Sequence, residues 1–240
     1  MQLTLYKQIE AHISAERLCA YASPMAGAKA APRLVLARYM LNMALCESLY
    51  PALQTCEIAL RNAIHSHLTA LIGRDDWFNA VNFELTPWAQ SEVRKAKDKI
   101  AKTHKPVTAG RVVAELQFGF WTSLFEAHYE QNTPFLPSGI KAVFAHLPKS
   151  LHKRKDRKND LEHVRALRNR VFHHERIVHW KDLDAQHDLI LQIIGWINPQ
   201  LRQMTAALER FQAIQQAGLV PFLGGEIWGV ADEAVLGGGV

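Results

Sequence analysis

Apolar side chains return every three to four positions along nearly the whole chain. No long stretch alternates apolar and polar residues as a half-buried strand would. That periodicity restricts the fold to the all-α class. It predicts helices near 3–22, 33–50, 52–72, 88–103, 109–131, 138–147, 159–179 and 183–216. Pro24, Pro32, Pro51, Pro87, Pro106, Pro134 and Pro137 punctuate them, because proline cannot continue a helical hydrogen-bond ladder. One all-helical domain is expected over residues 1–217. A Gly-rich tail over 218–240 follows and holds seven of the thirteen glycines; docking of its Phe222 and Trp228 would be what orders it.

A chain of 240 residues with 48% hydrophobic side chains can bury a sizeable core. Lys and Arg exceed Asp and Glu by 28 − 23 = 5, which suits a polyanionic partner without requiring one. Two runs concentrate the cations. Residues 149–158, KSLHKRKDRK, hold six, among them Lys153, Arg154 and Lys155; residues 94–105, RKAKDKIAKTHK, hold another six. Each run is either a solvated surface or a phosphate-contacting one, and phosphate contact carries no sequence information. The N-terminus has charged residues where a signal peptide needs an apolar core. The apolar run 189–197 is far short of the ~20 residues of a spanning helix, so no membrane association is expected. Cys19, Cys46 and Cys56 form no CxxC pair, and the odd count points to a reducing cytoplasm.

The stretch ALRNRVFHHERIV, 166–178, gathers most of the chemistry. Counted from Leu161 along a continuous helix, Val164, Leu167, Val171 and Val178 form one apolar stripe. Asn169, His173 and Arg176 form a second stripe opposite, with Arg168 on the shoulder between them, long enough to lean toward the His173 imidazole. His174 borders the apolar side and reads as a hydrogen-bonded structural histidine. A histidine exchanges protons near neutrality, an arginine grips phosphate in a bidentate manner, and an asparagine orients a ribose or phosphate oxygen. These are the needs of metal-independent RNA cleavage, in which a base activates the 2′-OH and a cation steadies the phosphoryl charge. The bland alternative, an exposed Arg/His helix face, stays open.

Other constellations are absent. There is no GxxxxGK[ST], GxGxxG or HExxH, and the histidines 163, 173, 174 and 179 lack partners at zinc spacing, so neither a cofactor nor a metal is expected. Asp156, Asp160 and Glu162 read as charge partners of the neighbouring cations. Phe118, Phe120 and Trp121 read as core aromatics rather than base-stacking platforms.

LRNRVFHHERI resembles the C-terminal motif of the Abi-like family of bacterial abortive-infection proteins, within the HEPN superfamily. Arg168, Asn169 and His173 match that superfamily's Arg–polar–x–x–x–His mark, and His174 and Arg176 match the extended Abi-like form. EIALRNAIHSHL (57–68) resembles the family's N-terminal helix motif. VVAELQFGFWTSLF (112–125), with Phe118, Gly119 and Trp121, resembles its central segment. The resemblance spans about 40–215. It implies a HEPN-like helical bundle with additional N-terminal helices, a homodimer with one composite site, and endoribonuclease activity in antiphage defence or as a toxin. RNA would be the substrate, and an antitoxin or a phage-derived trigger the further partner. Some HEPN proteins are inactive RNA-binding or protein-interaction modules, which is the alternative it leaves. Under the nuclease implication Arg168, Asn169 and His173 would be catalytic, with Arg176, Lys153, Arg154 and Lys155 on the substrate.

ALRN also occurs at 59–62, where Glu57, Arg61 and His65 share a stripe at i, i+4, i+8. Either Glu57 and Arg61 form an exposed ion pair, or this stripe packs beside the 166–178 segment and one of them supports it.

Overall fold

A computed structural model describes residues 2–22, 30–133, 135–136, 138–224 and 228. Pro24, Pro134, Pro137 and most of the expected tail lie outside the described residues. Among the described residues the secondary structure is helical throughout, and no helix is long and apolar enough to cross a membrane. The helices are α1 (Gln2–Ile13), α2 (Ala15–Cys19), α3 (Pro32–Ile72), α4 (Pro87–Lys102), α5 (Ala109–Glu115), α6 (Phe118–Ser123), α7 (Ala127–Gln131), α8 (Ser138–Val143), α9 (Arg154–Phe172), α10 (Leu183–Ile197), α11 (Pro199–Leu208), α12 (Phe211–Ala217) and α13 (Val220–Leu223).

Several boundaries differ from the periodicity, each for a local reason. The expected helix 3–22 breaks at Ser14, which adopts φ 84° and caps α2 by accepting the Arg17 N–H at 3.2 Å. The break expected at Pro51 is absent: the proline lies inside the continuous α3. The expected helix 109–131 is three helices. Phe118, Phe120, Trp121, Thr122 and Ser123 are all buried on α6, more than one face of a straight surface helix can hide, so the chain turns between segments to re-aim them. The expected helix 183–216 also becomes three. Pro199 starts α11, and the Asn198 side chain caps it by accepting the Leu201 N–H at 3.0 Å.

The chain divides into two compact units. The first comprises Met1–Tyr50, Arg170–Asp184 and Glu209–Val240; the second comprises Pro51–Asn169 and Ala185–Leu208. Three of the four boundaries fall within α3, α9 and α10, and the fourth directly follows α11.

Within the first unit Leu18, Tyr21, Val35, Leu36 and Trp228 form a buried cluster, with Leu5, Tyr6, Ile9, Tyr39 and Val178 packed against it. Trp228 thus docks. Its indole N–H donates to the Phe222 carbonyl at 3.2 Å and the Arg33 guanidinium lies over its ring. In the second unit an aromatic core surrounds Trp77, which meets Phe83 and Trp121 edge-on at 5.4 and 6.2 Å. Phe118, Phe120 and Trp121 are buried there.

Candidate functional site

In the second unit Leu161, Val164 and Leu167 of α9 are buried and Asn169 is exposed, so one face of this helix seals the core. Arg168 is half-buried. Its Nε donates to the Glu57 carboxylate at 3.2 Å and its Nη1 to the Asn169 side-chain oxygen at 3.4 Å. Glu57 is therefore committed to Arg168. Arg61 turns to Asn62, donating at 3.3 Å, so the Glu57–Arg61 ion pair does not form. His65 accepts the Trp77 indole N–H at 3.0 Å through Nδ1, and burial holds its pKa below the ordinary value.

The expected helix through 179 ends at Phe172, so the helical placement of His173, Arg176 and Val178 on two stripes is corrected. The cause is a C-terminal stop in the first unit. The Glu175 N–H bonds the Arg170 carbonyl at 2.8 Å and the His174 N–H bonds the Val171 carbonyl at 3.2 Å, which is the Schellman pattern. His174 takes the left-handed position, φ 57°, that glycine usually fills. A histidine at that position carries none of the stop signal that a glycine would.

Beyond the stop, residues 173–178 form a tied turn. His173 and His174 are exposed. Arg17 of α2 donates to the His174 carbonyl. Arg176 donates to the Ala20 carbonyl, so this guanidinium is engaged with the chain itself. Arg170 pairs with Glu175 at 3.0 Å and stacks over the Trp180 ring. Buried Asn42 of α3 accepts the N–H groups of Ile177 and Val178 and donates to the Glu175 carbonyl. Neither Asn42 nor Arg17 was expected from the sequence. The signal for Asn42 was its place in the otherwise apolar YMLNMALC, where a buried amide must find partners.

The basic run 149–158 resolves residue by residue. Lys153 and Lys155 are exposed. Arg154 donates to Glu130 at 2.7 Å and to the Phe125 carbonyl at 3.1 Å. Arg157 is buried, pairs with Asp160 at 2.8 Å and stacks over Trp196. Glu162 pairs with Arg165 at 2.5 Å. In the run 94–105, Lys95 pairs with Glu92 at 2.7 Å and Lys97 donates to Asn79 at 2.6 Å. Several cations of the two runs are thus engaged within the chain.

One cavity, of about 510 Å³, opens in the first unit against the tied turn. Cys46 lines it, and burial pushes that thiol up to about 11, so it stands protonated at neutral pH. A second cavity, of about 590 Å³, lies in the second unit beside Ile58, Leu201 and Met204, and none of the expected site residues lines it. Among the described residues no three His, Cys, Asp or Glu side chains gather to hold a metal ion. No family model, curated protein or solved structure matches the chain.

Proposed function

We propose that the chain is a HEPN-type endoribonuclease of the Abi-like kind, acting as a cytoplasmic homodimer in antiphage defence or as a toxin. The observation that carries this reading is the Glu57–Arg168–Asn169 arrangement, which presets a guanidinium and an amide at the end of the motif helix. His173 follows five positions after Arg168 in the sequence and is exposed in a turn whose backbone is tied on several sides.

In this reaction His173 takes the proton of a ribose 2′-OH as general base. The freed oxygen attacks the adjacent phosphorus and the bond to the 5′-oxygen breaks. The products are a 2′,3′-cyclic phosphate and, once the leaving oxygen is protonated, a 5′-hydroxyl. Arg168 balances the charge that builds on the phosphoryl oxygens, and a cation aimed where charge develops stabilises the transition state more than the ground state. Asn169 orients the scissile group. The nucleophile belongs to the substrate, so the reaction draws on no metal-bound water. Lys153 and Lys155 attract RNA electrostatically.

The test is incubation of purified protein with a mixed RNA pool in EDTA, wild type against His173→Ala, followed by end-group analysis. The expected result is cyclic-phosphate ends from the wild type alone. Equal cleavage by His173→Ala, or cleavage only with added divalent metal, overturns the proposal. RNA binding that is salt-sensitive and unaccompanied by cleavage assigns the chain to the inactive binding modules of the same kind.

A further inference from the structure

The cavity of about 510 Å³ in the first unit borders the motif itself, since Phe172 and His174 both line it. Its wall is aromatic. The rings of Tyr50 and Phe172 lie 5.3 Å apart at a 31° tilt, and Tyr50 remains 47% exposed. Met43 and Cys46 add soft apolar surface to the lining. Arg17, Asn42, Glu47 and His174 are among its polar lining residues, and Glu47 is paired with Arg210. At about 510 Å³ it falls within the range of small-molecule sites, which pair an apolar lining with a few oriented polar groups.

The backbone supplies an independent indication. The C-terminal stop of α9 puts its left-handed residue at His174, where glycine would sit without strain. A side chain held in that conformation is a mark of functional sites. This one lines the cavity, and Arg17 fixes its carbonyl from the facing helix.

We propose that this cavity is a base-binding subsite. It takes one unstacked nucleobase of single-stranded RNA, with the base lying on the open face of Tyr50 and its sugar-phosphate reaching Arg17 and His174. The inference rests on the ribonuclease reading for its choice of RNA and deepens it, because a base seated beside His174 would fix the register of the neighbouring linkage. Aromatic faces accept any base by stacking, and an exposed tyrosine backed by a second ring is such a platform. Arg17, which also donates to the His174 carbonyl, adds a positive charge that favours a phosphate-bearing ligand over a plain apolar one. The subsite grips the base loosely, since stacking discriminates weakly between bases.

The experiment measures equilibrium binding of a labelled four-nucleotide single-stranded RNA in EDTA, with uridine and adenosine monophosphates as competitors. His173→Ala protein is used alongside wild type, so that binding is read whether or not cleavage occurs. Both monophosphates should compete. Tyr50→Ala should weaken the tetranucleotide about ten-fold or more, and Tyr50→Phe should stay within about two-fold of the parent. Met43→Ala, on an exposed lining residue, should weaken it less than Tyr50→Ala. Equal affinity in the parent and a folded Tyr50→Ala, failure of both monophosphates to compete, or competition by an apolar dye alone overturns the subsite. Binding with these properties but without cleavage overturns only the nuclease reading. Cleavage that is indifferent to Tyr50→Ala overturns only the subsite.

Discussion

The side-chain oxygen of Asn42 accepts the backbone N–H of Ile177 at 2.7 Å, and the same oxygen takes the Val178 N–H at 3.1 Å. A single buried amide therefore satisfies the start of the segment that follows the HHER turn. Replacing Asn42 by Ala strands a buried N–H, a loss of about 1–3 kcal/mol. Asn42→Asp keeps the acceptor but loses the donor to the Glu175 carbonyl and buries a carboxylate, so it should cost at least as much as Asn42→Ala. Urea denaturation of the three proteins checks the order, and an Asn42→Ala midpoint equal to wild type would contradict it.

His174 sits at φ 57° in a turn built for glycine. A non-glycine residue in the left-handed region costs about 1–2 kcal/mol. His174→Gly should therefore raise thermal stability, by about 1 kcal/mol once the added freedom of the unfolded glycine is deducted. Under the proposed subsite the same change should weaken RNA binding, because the imidazole is lost from the cavity lining. Calorimetry and the tetranucleotide titration read the two effects separately, and a fall in melting temperature refutes the strain assignment.

Glu57 holds Arg168 across half-exposed surfaces, so the pair adds at most about 1 kcal/mol to stability. Its value lies in orientation. Under the proposed function Glu57→Gln should fold normally and lose cleavage rate about 10²-fold, a scale set by small misplacements of a catalytic group. The loss should fall on kcat and leave KM nearly unchanged. Arg168→Lys should not restore the rate, since an ammonium lacks the planar fork. Single-turnover kinetics distinguish these outcomes from a simple binding defect.

Trp228 is almost fully buried against Leu18 and Tyr21, although the residues around it are rich in glycine. Trp228→Ala removes a large buried ring, a change worth about 3–5 kcal/mol where the surroundings cannot collapse. Urea denaturation should then show a midpoint below that of wild type. An unchanged midpoint would show that the docking contributes little.

Burial lowers the pKa of His65 from its ordinary value of 6.5, and its Nδ1 accepts the Trp77 N–H, so the native state holds it neutral. His67 is shifted in the same direction for the same reason. The unfolded chain then binds more protons than the folded one below pH 6.5. Stability contributed by these groups is complete above that pH and is lost as pH falls through the lowered folded values. His65→Gln should flatten the decline in melting temperature between neutral and mildly acidic pH. An identical slope in both proteins would refute the link.

The helical class, the buried stripe residues Val164 and Leu167 and the burial of Phe118, Phe120 and Trp121 were legible because they follow from spacing and apolarity alone. The breaks inside 109–131 were not, because they serve the packing of several aromatics around Trp77 at once. Pro51 misled in the opposite direction: a residue that ends isolated helices is carried inside α3.

At the motif, the chain by itself determined which functional groups are present and their order: Arg168, Asn169, His173, His174 and Arg176. Tertiary structure alone decided what each one does in the fold. It paired Glu57 with Arg168 rather than Arg61, turned Arg176 onto a backbone carbonyl, ended α9 at a histidine, and brought Asn42 to a segment more than a hundred residues away. Spacing along a helix reports which side chains share a face, but hydrogen-bond partners are chosen by whichever donors and acceptors burial brings within about 3 Å. That choice depends on contacts between distant parts of the chain, which no local pattern records.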